Sequence, residues 1–294
     1  MAEPRRIGII GGSGLGREFG RRLDGVENDV DTPFGKPSGP IVIADINGVE
    51  IVFLPRHGRG HIYGPSDVPY RANIFALKEL GVRYIIATAA CGSLRQEIQP
   101  GDVVIVDQVI DKTFKRETSF FAGFLAAHVD FSCPFCAKIS KILHNSALKL
   151  PFSVRDGGTY VCMEGPQFSS KAESLMHRQW GGDLIGMTCM PEAKLAREAE
   201  MCYGLMALVT DYDCWRKNEE DVDSQELMKE ITSNLANVTK KGIKLIEAAI
   251  EDIGKLLSQP CEHHSALEMA IMTDKKEIND PAYNTLKSII GKYL

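Results

Sequence analysis

Residues 6–14 read RIGIIGGSG, and this stretch indicates the class of fold. A short apolar run that ends in a cluster of glycines is typical of a buried strand leading into a tight turn. Apolar runs of the same kind recur at 84–88, 103–106 and 205–210. We therefore expect a buried sheet whose strands end in loops that carry the functional residues.

Turn and helix signals lie between these runs. Asn47-Gly48 separates two apolar stretches, 41–46 and 49–54, and predicts a β-hairpin because both residues tolerate positive φ angles. Three helices are predicted, namely 69–80 after Pro69, one starting at the capping box of Ser170 and Glu173, and 224–257 with a break or kink at Gly242. The alternation indicates an α/β fold, with a mixed sheet covered by helices on both faces.

Composition excludes several classes of protein. The 294 residues are 44% hydrophobic and 25% charged, as in globular proteins, so global disorder is excluded. No apolar run approaches the roughly 20 residues of a membrane span, and we do not expect MAEPRRIGII to act as a signal peptide. The net charge of -5 without a basic block argues against nucleic acid as a partner. Eight scattered cysteines are expected to be reduced thiols of a cytoplasmic protein, with the nucleus as a second location.

Two segments are candidates for binding an anion. The turn at 11–14 is either a plain tight turn or an oxyanion cradle built from backbone N–H groups and a hydroxyl. It fails the dinucleotide fingerprint because Arg17 stands where the third glycine is needed, and no P-loop occurs. The second segment, 55–61, holds two arginines and two histidines. It is a phosphate site, a solvated basic turn or, less in keeping with its ligand types, a zinc site.

Two carboxylates follow the strand predicted at 205–210. Asp211 and Asp213, two positions apart in extended chain, project to the same side. Neighbouring carboxylates in a partly buried site disfavour double ionisation, so one of them can hold a proton for a leaving group. The alternative is a solvated loop. Aromatic residues at 159–170 either stack on a planar base or pack in the core.

A CxxC pair stands at Cys133 and Cys136. A redox role needs a thioredoxin-like strand before it and a helix after it, and a zinc site needs a second ligand pair, which is not close in sequence. Buried or free reduced thiols are the third alternative.

Seven motifs in order resemble the trimeric branch of the purine nucleoside phosphorylases, in particular its members that act on S-methyl-5′-thioadenosine. The resemblance covers roughly residues 5 to 255. The motifs are GGSG at 11–14, TPFGKPS at 32–38, PRHG at 55–58, ACGSL at 90–94, EGPQFSS at 164–170, GMT at 186–188 and TDYDCW at 210–215.

The resemblance implies a mixed sheet with a distorted central barrel, surrounded by helices and assembled as a homotrimer. It implies a single phosphorylase domain over 1–294, in which 258–294 is a poorly matched tail that is either mobile or closes over a site. The implied reaction is cleavage of the N-glycosidic bond by inorganic phosphate, with a nucleoside as the other partner. No metal or organic cofactor is needed, and no membrane is involved.

Residue roles carry over by motif. The implied phosphate site is Ser13, Arg56, His57, Ala89, Ala90 and Thr188. The implied base and ribose site is His61, Phe168, Met187, Asp211 and Asp213, with Asp211 facing purine N7 as the catalytic acid. The implied pocket for the 5′ group is Leu227, Met228 and His128 of a neighbouring subunit.

Asp213 indicates the substrate class. An ionised carboxylate only accepts hydrogen bonds, whereas a 6-amino group donates them, so Asp213 favours adenine over 6-oxopurine nucleosides. Three alternatives stay open: a broader adenosine or purine nucleoside phosphorylase, a nucleoside hydrolase and a non-enzymatic nucleoside-binding protein.

Overall fold

The computed structural model describes residues 5–216 and 224–294. Within them a mixed sheet of eleven strands forms the centre. The strands are β1 Arg6–Gly11, β2 Gly25–Asn28, β3 Ile41–Ile46, β4 Val49–Pro55, β5 Val82–Ser93, β6 Val103–Val106, β7 Gln108–Lys112, β8 Val154–Asp156, β9 Thr159–Met163, β10 Leu184–Gly186 and β11 Cys202–Tyr212. The helices are α1 Leu15–Glu18, α2 Tyr70–Glu79, α3 Ala137–Ala147, α4 Lys171–Gln179, α5 Glu192–Glu198, α6 Ser224–Gly254 and α7 Asp280–Ile290.

The sheet branches at its longest strand, β5. Eight strands follow the order β2-β3-β4-β1-β5-β10-β9-β7, while β11 pairs with β5 and β6, and β8 pairs with β6. In this central part β4 and β1, β1 and β5, and β5 and β11 pair in parallel. Only Asp107 separates β6 from β7 along the chain, so the two branches approach each other. The mixed α/β fold expected from the sequence is confirmed, but the strand pairs formed by the described residues do not close the distorted central barrel.

Local sequence signals account for several elements. Asn47 and Gly48 have φ angles of 54° and 80°, which confirms the predicted hairpin turn. Ser170 and Glu173 form the predicted capping box of α4. The predicted break at Gly242 is wrong, because α6 continues through it. A Cβ at Gly242 would lie 3.2 Å from Leu208 Cδ2, so the glycine allows α6 to pack closely on β11.

The C-terminal segment packs on the body of the fold. Leu267, Leu286 and Ile290 are fully buried within the larger apolar core. Lys292 Nζ lies 2.6 Å from Glu200 Oε2 after α5, which adds an ion pair to this contact. Segment 258–294 is therefore docked on the body through apolar burial. No helix among the described residues has both the length and the apolar character needed to cross a membrane.

Candidate active site

Three parallel strands end side by side at one edge of the sheet. Gly11 is in register with Pro55, and Ile10 is in register with Ala87. The segments that follow these positions contain Ser13, Arg56, His57, Ala89 and Ala90. Parallel strands place their carboxyl ends at a common edge, which is where α/β proteins bind ligands. The register thus brings the two anion-binding candidates together.

The glycine turn lies directly on an arginine. A Cβ at Gly12 would be 2.7 Å from Arg56 Nη1 and 2.6 Å from the carbonyl oxygen of Thr88. The Gly12 N–H donates to Thr88 Oγ1 over 3.2 Å. Only glycine permits this close approach of the backbone to the guanidinium.

Arg56 is buried and forms an ion pair with Glu192, which sequence reasoning missed. Nε and Nη2 donate to the two Glu192 oxygens over 2.7 and 2.6 Å, and Nη1 donates to the Thr88 carbonyl over 2.7 Å. Burial lowers the pKa of Arg56, but the Glu192 carboxylate raises it more, so the guanidinium stays charged. Within the described residues, these bonds use three of its five N–H groups and leave two for an anion. Glu192 gave no local signal, since it meets Arg56 only through the long-range packing of α5.

His57 is held as a neutral imidazole. Its Nδ1 lies 2.9 Å from the carbonyl oxygen of Tyr63, which can only accept, so Nδ1 carries the proton and Nε2 is an acceptor. Burial and the neighbouring Arg56 charge lower the pKa of His57 to about 4. The ring of His61 stacks on that of His57, with centroids 4.1 Å apart and an interplanar angle of 14°. Burial also lowers the pKa of His61.

The two predicted aspartates both lie beside Gly92. The pairing of β11 with β5 shifts between Val209 and Asp211, and Asp211 is in register with Gly92. A Cβ at Gly92 would lie 3.1 Å from Asp211 Oδ2 and 3.4 Å from Asp213 Cβ. Thr210 Oγ1 donates to Asp211 Oδ1 over 2.5 Å, which leaves Oδ2 on the Gly92 side.

Asp213 has a carboxylate oxygen without a donor. The residue is 7% exposed, and its Oδ2 is buried and makes no hydrogen bond within the described residues. Its backbone N–H donates to the Ser93 carbonyl over 3.0 Å, which fixes the chain at this point. A buried carboxylate without a donor is costly unless a ligand supplies one. The atom is therefore positioned to receive a donor from a bound molecule.

A buried arginine supports the segment that holds Met187 and Thr188. Arg116 Nη1 donates to the carbonyls of Met187 and Met190 over 2.6 and 2.5 Å, and Nη2 donates to the Glu164 carbonyl over 2.7 Å. Burial raises the pKa of Glu164, but hydrogen bonds from Ser66, the Phe114 and Lys115 N–H groups and Arg116 lower it to about 2. Sequence reasoning missed Arg116. Glu164 was identified from the sequence only as the first residue of the EGPQFSS motif, without a role of its own.

Gly186 permits another close approach just before this segment. A Cβ on Gly186 would overlap the hydroxyl of Tyr160 and lie 3.2 Å from the Ala90 carbonyl oxygen. The end of β10 therefore lies against β5, with Thr188 8% exposed two residues further on.

Three further predicted residues, Phe168, Met228 and His128, lie at the periphery. Phe168 is 66% exposed and Met228 on α6 is 48% exposed. His128 is exposed in the connection between β7 and α3. The side chain of Leu227 lies outside the described part of the chain. A depression of about 520 Å³ is lined by Met228, Lys229, Thr232, Ser233 and Ala236.

Helix α6 connects this depression to the strand ends. Asn234 Nδ2 donates to the Thr210 carbonyl over 2.8 Å, next to Asp211. A Cβ at Gly14 would lie 3.3 Å from Leu235 Cδ1, so α6 also contacts the glycine turn. Residues 228, 232 and 235 share one face of α6, so Met228 lies on the same face as the residue that contacts the glycine turn.

Comparison with known proteins identifies the family of the chain. The family model described as "Phosphorylase superfamily" matches residues 6–251. The chain is 47% identical over 293 residues to the S-methyl-5′-thioadenosine phosphorylase of Geobacter sulfurreducens, covering 98% of this chain and 99% of the relative. It is 51% identical over 244 residues to the protein of the same name from Thermococcus kodakarensis, covering 82% and 93% of the two chains.

Solved structures agree with these sequence matches. A methylthioadenosine phosphorylase from an antarctic soil metagenomic library has a TM-score of 0.86 at 42% identity, covering 98% of this chain and 99% of that one. A variant of the adenosine/methylthioadenosine phosphorylase from Schistosoma mansoni, in complex with methylthioadenosine, has a TM-score of 0.79 at 33% identity, covering 92% and 99%. The chain therefore belongs to the phosphorylase superfamily and, within it, to the family of S-methyl-5′-thioadenosine phosphorylases.

Proposed function

We propose that the chain catalyses phosphorolysis of S-methyl-5′-thioadenosine, giving adenine and 5-methylthioribose 1-phosphate. The observation that carries the proposal is the buried Oδ2 of Asp213, which has no donor among the described residues and belongs to a residue that borders Gly92 together with Asp211. The 6-amino group of adenine is a donor of the right kind for this atom. The names of the relatives support the same substrate.

The phosphate lies at the ends of β1, β4 and β5. The two free N–H groups of Arg56, the hydroxyls of Ser13 and Thr188 and the backbone at Ala89 and Ala90 supply donors. Neutral His57 accepts at Nε2 from the P–OH of a protonated phosphate. Because Glu192 balances the charge of Arg56, phosphate is captured by placed donors and not by a long-range positive field.

Asp211 acts on the leaving base. Thr210 holds Oδ1, so Oδ2 is oriented to share a proton with purine N7 as the glycosidic bond breaks. Phosphate bound at the strand ends then attacks the anomeric carbon, with its loss of freedom already incurred on binding. Met187 and His61 contact the sugar, and Phe168 covers the base. Each of these roles rests on the family resemblance together with the positions described above. No metal or organic cofactor enters the reaction.

A second candidate substrate is adenosine. The depression beside Met228 has room for either 5′ group, and the related Schistosoma mansoni protein carries both substrates in its name. We place Leu227, Met228 and His128 of a neighbouring subunit around the 5′ group. This arrangement requires self-association, which we propose to be a homotrimer of single-domain chains in the cytoplasm. Sedimentation of the purified protein tests the trimer.

The experiment that tests the proposal measures adenine release with and without inorganic phosphate. The reaction is expected to need phosphate and to yield the sugar 1-phosphate. Thr188→Val, which keeps the shape and removes the hydroxyl, should raise KM for phosphate and leave KM for the nucleoside nearly unchanged. Release at the same rate without phosphate would indicate a hydrolase, and binding without release would indicate a nucleoside-binding protein.

A further inference from the structure

Three cysteines and one histidine converge outside the proposed active site. Cys136 precedes α3, Cys202 begins β11, and Cys261 and His263 belong to the C-terminal segment. One ligand atom from each lies within 4.8 Å of all the others. The possible co-ligands of Cys136 are therefore these three residues and not Cys133, the other cysteine of the CxxC pair.

The donor set is that of a structural site for a thiophilic cation. Three cysteine sulfurs and one imidazole nitrogen match the Cys₃His type, which binds Zn²⁺ tetrahedrally. Bonds of about 2.3 Å to sulfur and 2.0–2.1 Å to nitrogen require ligand atoms roughly 3.5–4 Å apart. The four groups therefore need only a small contraction. All three cysteines are free thiols.

An unsatisfied nitrogen marks the cluster. His263 is 4% exposed, and its Nδ1 is buried without a hydrogen-bond partner among the described residues. Its other ring nitrogen, Nε2, accepts from Arg197 Nη2 over 3.0 Å. Coordination through Nδ1 moves the ring proton to Nε2 and lengthens this contact. Arg197 keeps the carbonyls of Asp130 and Cys133 as partners.

The surroundings suit bound thiolates. His264 Nε2 lies 3.3 Å from the Arg83 carbonyl oxygen, an acceptor, so it carries a proton. The same nitrogen is 3.5 Å from Cys202 Sγ, a contact of the type that orients and stabilises metal-bound sulfur. Three thiolates and one divalent cation carry a net charge of -1, which the Arg197 guanidinium offsets.

We propose that Cys136, Cys202, Cys261 and His263 bind a divalent cation of the Zn²⁺ class, which fastens the C-terminal segment to α3 and β11. Each cysteine releases one proton to solvent on binding. The site joins three segments that are distant in sequence, so its effect is on stability and is independent of the phosphorolysis proposed above.

The test uses the full-length chain, reduced and stripped of metal with a chelator. Co²⁺ is added as a spectroscopic probe and then displaced with Zn²⁺. We expect one Co²⁺ per chain, with thiolate-to-cobalt charge-transfer absorption that Zn²⁺ abolishes, and a higher Tm with Zn²⁺. Cys261→Ser should weaken metal binding by about 100-fold or more, since it removes a ligand. Cys133→Ser removes an exposed thiol close by and should behave like the wild type.

Four results would overturn the proposal. They are absence of the charge-transfer absorption in the wild type, its persistence in Cys261→Ser, its loss in Cys133→Ser, and a disulfide within the cluster that gives no metal site after reduction. Cys261 is partly exposed, so its serine variant is expected to fold. If that variant does not fold, the wild-type Co²⁺ spectrum decides the matter alone.

Discussion

Replacement of Asp213 by asparagine should change which purine the protein cleaves. Asp213 is 7% exposed and its Oδ2 has no donor within the described residues, so we expect a bound base to supply that donor. A hydrogen bond to a charged group contributes about 1.5–3 kcal/mol, because an unpaired partner would stay desolvated. Loss of that bond corresponds to a roughly 10- to 150-fold lower kcat/KM for a 6-aminopurine nucleoside. The new amide N–H can instead donate to the 6-oxo group of an inosine-type substrate.

The assay compares kcat/KM for methylthioadenosine with kcat/KM for its 6-oxo counterpart, at saturating phosphate. In Asp213→Asn the first value should fall and the second should rise. Tyr212→Phe is the matched control, since it changes the adjacent side chain, whose hydroxyl donates to the Gln96 carbonyl at the surface. An unchanged ratio in Asp213→Asn, or an equal change in Tyr212→Phe, would refute the assignment of Asp213 to the 6-amino group.

Buried groups at Glu192, Glu164 and Gly186 should each affect the stability of the protein. Glu192→Gln leaves the Arg56 charge buried without its counterion. The free energy of unfolding, measured by denaturant titration, should fall by roughly 3–5 kcal/mol. A loss below about 1 kcal/mol would be inconsistent with a buried ion pair. The pKa of Glu164 is lowered from 4.5 to about 2, so its contribution of about 3 kcal/mol is present above pH 4.5 and is lost as the pH falls toward 2. The free energy of unfolding, measured as a function of pH, should therefore fall less at acid pH in Glu164→Gln than in the wild type. Equal losses in the two proteins would contradict the lowered pKa of Glu164. Gly186→Ala should lower the free energy of unfolding by about 1–3 kcal/mol, because the added methyl group overlaps the Tyr160 hydroxyl. In a double-mutant cycle, Tyr160→Phe should restore part of that loss. Strictly additive effects of the two substitutions on the free energy of unfolding would exclude the overlap.

Local signals predicted those parts of the fold that depend on a few adjacent residues. The turn at Asn47-Gly48 and the capping box at Ser170 are confirmed because their geometry is determined by neighbours in sequence. The break expected at Gly242 is wrong because helix propensity was weighed without the contact to Leu208, which only the tertiary structure provides. The strand pairs made by β5 could not be predicted either, because they join segments far apart in sequence.

The same distinction holds for the site. Asp211 and Asp213 were identified from spacing at the end of a strand, and the structure places both beside Gly92. Arg56 was identified, but its burial against Glu192 was not, since the two residues are 136 positions apart. The Cys136 cluster was missed for the same reason, because its other ligands come from later in the chain.

In the proposed reaction phosphate, and not water, attacks the sugar. The most direct measurement runs the reaction in water labelled with heavy oxygen and determines by mass spectrometry the origin of the oxygen on C1 of the product. We predict a sugar 1-phosphate without solvent oxygen at C1, together with one equivalent of adenine. Solvent oxygen at C1 in the first-formed product, at any phosphate concentration, would contradict the account.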